Sequence, residues 1–366
     1  MRDSCRLAHP LSLTLPLELK GTDVAQRVTA RRPNRLARSN KRSALLFLLP
    51  GAVFFAAIFV YPSIKTIQMS LSDVNATNIT QGNWPFVGFK NFVNVFHLQA
   101  FDITVSNTVI FVIASIIPQV VIGLLLAIGL RKSTRIRRIG RALVLLPWLL
   151  PSVAVSSVFL FIFYTNGGLA NTVLLALHIV NQPVLWFANP GLALFVIILV
   201  NIWIGIPFNF LILQSGLQSL PLDVHEAAAV DGAGWWRELF SVTVPMLRES
   251  IFAVVMLGVI GTLKVFDFVW IMTQGGPANG TMLPGPLAYQ QAFVQFNYGN
   301  GSAIIVLTVL LMVVLSLIYV RATSSRDLTR GGWRARKSEN MATAVTRSTA
   351  ESSPAPLSRE TTGGRS

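Results

Sequence analysis

Few side chains in this sequence could do covalent or acid–base chemistry, and they do not gather. The four histidines, His9, His97, His178 and His225, share no metal-ligand spacing. A lone cysteine, Cys5, excludes both an internal disulfide framework and a thiolate zinc cluster. The chain has no G-x-S-x-G elbow, no H-E-x-x-H pair and no G-x-x-x-x-G-K-S/T loop. It therefore reads as a non-enzyme, without a metal site and without an ATPase site of its own. What remains is recognition chemistry set in oily surroundings. Asn201, Gly205, Phe208 and Asn209 recur at i, i+4, i+7 and i+8, which is one face of a helix. An amide beside an aromatic ring suits a sugar, whose hydroxyls want paired donors and acceptors and whose C–H face packs on rings. Thr262 adds a small hydroxyl in a later apolar run. Lys264 and Asp267, three residues apart, can pair on one helical face and offset each other's desolvation. A pair that stabilises its span near the outer end is the favoured reading, with an outer gate or a docking contact as the competitor.

The elements that carry these residues follow from composition. Of 366 residues, 52% are hydrophobic and 12% charged, against about 25% charged in a soluble domain. So few charges cannot cover a water-soluble surface, and the chain is read as an all-α, polytopic membrane protein. Roughly 20 apolar residues are needed to cross the hydrocarbon. Six windows qualify: Ala44–Tyr61, Ile103–Leu130, Ala142–Tyr164, Leu192–Leu217, Ile251–Met272 and Ala303–Val320. Pro118, Pro147, Pro151 and Pro207 fall inside them and are expected to kink the helices rather than end them, since a bundle can satisfy the freed carbonyls.

Charge then orients the spans. Lys and Arg outnumber Asp and Glu by 30 to 15. Ten of the basic residues lie in residues 1–43, six in Arg131–Arg141, two in 218–250 and nine in 321–366. Only Lys65 and Lys90 lie in the alternate loops. By the positive-inside rule both termini, and the 131–141 and 218–250 loops, are cytoplasmic, and the protein sits in the cell membrane. The basic excess is thus a topology label with some attraction to anionic lipid, not a nucleic-acid footprint. The tails, 1–43 and 323–366, are too poor in apolar periodicity to build a core and are expected to be disordered, flanking a permease domain over 44–322.

The segment Leu220–Ser250 is the most distinctive cytoplasmic stretch. Asp223 is an expected N-cap, and Val224–Val230 an Ala-rich helix. Gly232 and Gly234 interrupt it, and a second helix over Trp235–Val244 places Trp235, Trp236, Leu239, Phe240 and Thr243 on one face until Pro245 stops it. These residues carry a resemblance. Glu226-Ala227-Ala228, Asp231-Gly232-Ala233 and Val244-Pro245 resemble the EAA loop of permease subunits of binding-protein-dependent ABC importers of the carbohydrate-uptake class. Tyr61-Pro62 with Ser70-Leu71-Ser72-Asp73, Val87-Gly88-Phe89-Lys90-Asn91-Phe92, Phe266-Asp267 with Thr273-Gln274-Gly275-Gly276-Pro277 and Thr281, and Tyr298–Ala303 fit the same family, in its maltose permease F and glycerol-3-phosphate permease A branch. The sequence departs from the family at Val244, where leucine is usual, and at Glu249-Ser250, where proline is common.

The resemblance implies a type I ABC importer permease core of six helices. It implies an import function for sugars or related polyols, with ATP bound by two cytoplasmic partner subunits and no cofactor on this chain. A second homologous permease and an extracytoplasmic solute-binding protein would complete the assembly. Glu226, Ala227, Ala228, Asp231 and Gly232 would couple to the ATPase: the acid as a polar contact, the alanines as a close-approach surface, the glycine as the turn. The solute pathway would run between the two permeases, lined in part by Asn201, Gly205, Phe208, Asn209 and Thr262. The rival is an ion-coupled secondary transporter, which needs mid-membrane ionisable groups; only Lys264 and Asp267 qualify.

Overall fold

A computed structural model describes residues 46–131 and 134–323; the expected tails lie outside the described residues. The first helix, α1, is Leu46–Ser70, and the chain divides into two units at Pro62/Ser63. There follow α2 (Lys90–Phe96), α3 (Gln99–Gly129), α4 (Arg135–Leu145), α5 (Ser152–Ile162), α6 (Leu169–Ala176) and α7 (Pro190–Gln218). After them come α8 (Leu222–Val230), α9 (Trp235–Met246), α10 (Arg248–Leu263), α11 (Asp267–Met272), α12 (Pro284–Tyr289) and α13 (Tyr298–Thr323). Four of these, α1, α3, α7 and α13, are long and apolar enough to cross a membrane alone. Two bent pairs raise the number to six if each pair is one span.

Helix α7 is the centre of the bundle. Asn189 caps it, its side chain accepting from the backbone N–H groups of Gly191 and Leu192 at 2.9 and 3.2 Å, and Pro190 occupies the first turn, where no N–H is needed. It packs along α3, whose buried residues Asn107, Phe111, Ser115, Gln119, Gly123 and Ala127 step by four, one ridge of a helix. Toward one end Phe111, Val155, Val196, Ile197, Phe268 and Val269 form one apolar cluster. Toward the other Ala127, Phe210, Leu213, Leu217, Leu247 and Val254 form a second.

Pro118 and Pro207 lie inside continuous helices. Pro147 and Pro151 do not, which corrects the expectation of one kinked span over Ala142–Tyr164. The axis turns by 98° between Arg135–Leu149 and Ser152–Ile162. Two prolines four apart explain the break: Pro147 sits in a 3-10 turn, and Leu150 is extended (φ −86°, ψ 137°) because a residue before proline is driven out of the helical region. The expected span Ile251–Met272 is likewise broken. Its helix ends at Leu263 and restarts at Asp267, with Phe266 outside helical geometry (φ −128°, ψ −52°). The basic stretch expected as a loop at 131–141 is largely helical, in α4.

Candidate functional site

Helix α8 carries the Glu-Ala-Ala triplet. It begins at Leu222, so Asp223 sits in the first turn and not at the N-cap, a place where a carboxylate still complements the helix dipole. At the other end Gly232 adopts φ +70°, and the Ala233 N–H donates to the Ala228 carbonyl at 3.0 Å. That six-to-one bond over a left-handed glycine is a Schellman stop, which turns the chain sharply without leaving carbonyls bare. Glu226, Ala227, Asp231 and Gly232 are exposed, and Ala228 is half-buried.

The second helix of the loop, α9, departs from the single face expected for it. Leu239 and Thr243 point inward and are buried, while Trp236 and Phe240 stand outward, stacked at 5.9 Å with their planes 7° apart. Trp235 packs edge-on against Trp236 at 4.4 Å. The helix also continues through Pro245 and breaks at Leu247, where the axis turns 70° into α10. A π-turn over Leu239–Thr243 lies just before the proline, and such a bulge re-pairs carbonyls in the turn that proline disrupts. The loop thus presents an acidic, small-residue helix beside an exposed aromatic pair.

The polar stripe of α7 lies elsewhere. Asn201, Gly205 and Asn209 do come together, packed against Gln119 of α3. Gln119 Nε2 donates to the Asn201 carbonyl at 2.9 Å. Asn209 Nδ2 donates to Gln119 Oε1 at 3.2 Å and to the Gly205 carbonyl at 2.8 Å. A Cβ on Gly205 would lie 2.3 Å from Gln119 Cδ, and one on Gly123 3.2 Å from the Phe210 backbone nitrogen. Glycine at these two places lets the helices approach, as small residues do in membrane bundles. Among the described residues, Asn201 Nδ2 and Asn209 Oδ1 are buried with no hydrogen-bond partner. Phe208 is at the edge of the stripe, half-buried, with its ring 6.3 Å from that of Trp148. Thr262 is buried on α10, one turn after Gly258, whose own Cβ would meet Ile116 of α3 at 2.8 Å. Gln119 and Trp148 went unnoticed in the sequence, although an amide inside an apolar run directly after proline is a readable signal.

Lys264 and Asp267 are not an ion pair. A three-residue spacing shares a face only in an unbroken helix, and the chain is non-helical between them. Asp267 Oδ2 instead accepts from the Ser152 hydroxyl at the start of α5. Lys264 is exposed at a groove of about 590 Å³ shared with Phe266, Tyr289, Phe293 and Tyr298. Nearby motifs are structural latches. Asn91 donates to the Ser70 and Ser72 carbonyls at 2.9 and 2.8 Å, and Thr281 ties the glycine turn through the Gly276 carbonyl at 2.8 Å. Among the described residues there is no group of three or more His, Cys, Asp or Glu side chains able to hold a metal.

A helical core of long and broken apolar spans, joined by a glycine-stopped surface loop, is the fold of a polytopic membrane protein. Residues 119–326 match the family described as binding-protein-dependent transport system inner membrane component, and the chain belongs to it. The trehalose/maltose transport system permease protein MalF of Thermococcus litoralis is 31% identical, over 79% of this chain and 96% of that protein. The diacetylchitobiose uptake system permease protein DasB of Streptomyces coelicolor is 30% identical, over 81% of this chain and 91% of that protein. A bacterial ABC transporter involved in the import of the acidic polysaccharide alginate has a chain of the same fold. It shows a TM-score of 0.66 and 21% identity, covering 80% of this chain and 99% of that one. The protein is therefore an all-α permease subunit of an ABC importer, a component of the membrane that works with a binding protein.

Proposed function

We propose that the chain forms one half of the translocation pathway for a sugar or related polyol, coupled through α8 to a cytoplasmic ATPase. The exposed helix–glycine–helix loop carries the reading: it holds Glu226 and Ala227 outward on a sharply ended helix. Relatives named for trehalose/maltose and diacetylchitobiose support the solute class. In this reading two ATP-binding subunits supply the energy and this chain binds no nucleotide. A second homologous permease and an extracytoplasmic binding protein complete the assembly, and both termini are cytoplasmic. Closure of the ATPase pair moves α8 and, through the buried Leu239 and Thr243, the ends of the spans, a rigid-body switch of access. Phe208, beside Trp148, faces the solute, with Asn201, Gly205, Asn209 and Thr262 shaping the wall behind it.

Reconstitution with the partner subunits tests the coupling. Glu226→Ala is expected to lower binding-protein-stimulated ATPase activity and uptake by roughly ten-fold, the scale of one charged interfacial contact, while the permease still assembles in the membrane. Unchanged stimulation and uptake would remove the assignment.

A further inference from the structure

Helix α4 has a surface that the import reading leaves unused. Thr134 caps it, accepting from the Arg137 N–H at 3.4 Å. One side is committed to the bundle: Arg141 donates through Nε and Nη2 to the Leu130 carbonyl at 3.1 and 2.6 Å, and through Nη2 to that of Arg131 at 3.1 Å. The opposite side is apolar and bare. Ile136, Ile139 and Leu143, spaced i, i+3 and i+7, are 83%, 62% and 61% exposed. Arg135 borders that stripe and Arg138 lies on the polar side next to it, both exposed, and among the described residues neither guanidinium has a hydrogen bond or ion pair.

Two observations say what covers this face. First, the sequence contains no Asp or Glu from Ile103 to Leu222, so neighbouring sequence supplies these arginines with no carboxylate. Second, α4 follows the membrane-crossing α3 almost directly and turns by 98° into α5. Its last turn, Val144 and Leu145, packs on the cluster of Leu217 and Leu247 at one end of the bundle, a place suited to a basic amphipathic helix in a headgroup layer. We infer that α4 is a binding site for anionic phospholipid: Arg135 and Arg138 hold the headgroup phosphate while Ile136, Ile139 and Leu143 rest on the acyl chains. Guanidinium forks match phosphate oxygens bidentately, which a choline-capped zwitterion offsets with its own cation. The inference uses the membrane location of the chain and no feature of the coupling loop or pathway, so its failure leaves the import reading untouched.

The test uses the purified full-length chain in detergent, offered equal amounts of phosphatidylglycerol and phosphatidylcholine, with retained lipid counted by native mass spectrometry. The wild type is expected to keep phosphatidylglycerol over phosphatidylcholine by roughly ten-fold, from two basic residues at an anionic surface. Arg135→Gln with Arg138→Gln is expected to bring the two lipids within about two-fold, and the Arg→Lys pair to retain the preference. No preference in the wild type, or full preference in the Gln pair, overturns the proposal. So does a Gln pair that loses ATPase coupling with lipid preference intact, which would place a protein partner on the face. A second measurement needs no arginine variant: Ile139→Cys in a Cys5→Ser background, labelled with a fluorophore and reconstituted in vesicles. Stronger quenching by spin-labelled phosphatidylglycerol than by spin-labelled phosphatidylcholine is expected; equal quenching refutes the site.

Discussion

Asn209 on α7 donates to the Gln119 amide oxygen on α3 at 3.2 Å, and Gln119 returns a bond to the Asn201 carbonyl at 2.9 Å. This exchange clamps the two central helices where Gly205 and Gly123 let them meet. A buried amide left without its partner costs about 1–3 kcal/mol, and interhelical bonds in membranes average about 0.6 kcal/mol.

Gln119→Leu and Asn209→Leu should each lower the melting temperature of the detergent-solubilised protein, and the double variant should lower it by less than the sum. A coupling of about 0.5–2 kcal/mol in this cycle is the expected result, as for residues sharing one network. Strict additivity would mean that the bond contributes nothing.

Gly205→Ala pushes a methyl group into the Gln119 side chain. The expected cost is about 1–3 kcal/mol, the usual range for overpacking. In a Gln119→Ala background the obstacle is gone, so the same change should cost much less. Equal cost in both backgrounds, read by thermal melting, would show that the crowding arises elsewhere.

Gly232→Val places a β-branched residue at φ +70°. The left-handed conformation costs a side chain at least about 1–2 kcal/mol, so the Schellman stop should fray while the spans stay folded. Uptake and stimulated ATPase activity should fall together, with membrane insertion unchanged by protease accessibility. Normal uptake would separate the turn from coupling.

Because Lys264 and Asp267 do not pair, their replacements should behave differently. Lys264→Met is expected to change stability by under about 0.5 kcal/mol, as for an exposed residue. Asp267→Asn should cost more and should be non-additive with Ser152→Ala, which removes the hydroxyl it accepts from. A Lys264→Met variant as unstable as Asp267→Asn would restore the ion pair.

Local chemistry sufficed for much of this molecule. Apolar runs longer than about 20 residues can satisfy their backbone only as membrane helices, and α3, α7 and α13 lie close to where hydropathy puts them. The Gly232 elbow was equally legible, since a left-handed stop needs a residue without a Cβ.

Tertiary structure decided the rest. The breaks at Leu150-Pro151 and at Lys264–Phe266 depend on what the surrounding helices can accept, because a proline in a bundle either kinks or terminates according to its neighbours. Which side of an amphipathic turn is buried is also a matter of partners: Leu239 and Trp236 looked alike in sequence, yet one faces α7's end and the other faces outward. The polar stripe of α7 was visible as a periodicity, but its destination was not. Periodicity names a face; only the opposing helix, with Gln119 at the right height, decides what that face packs against.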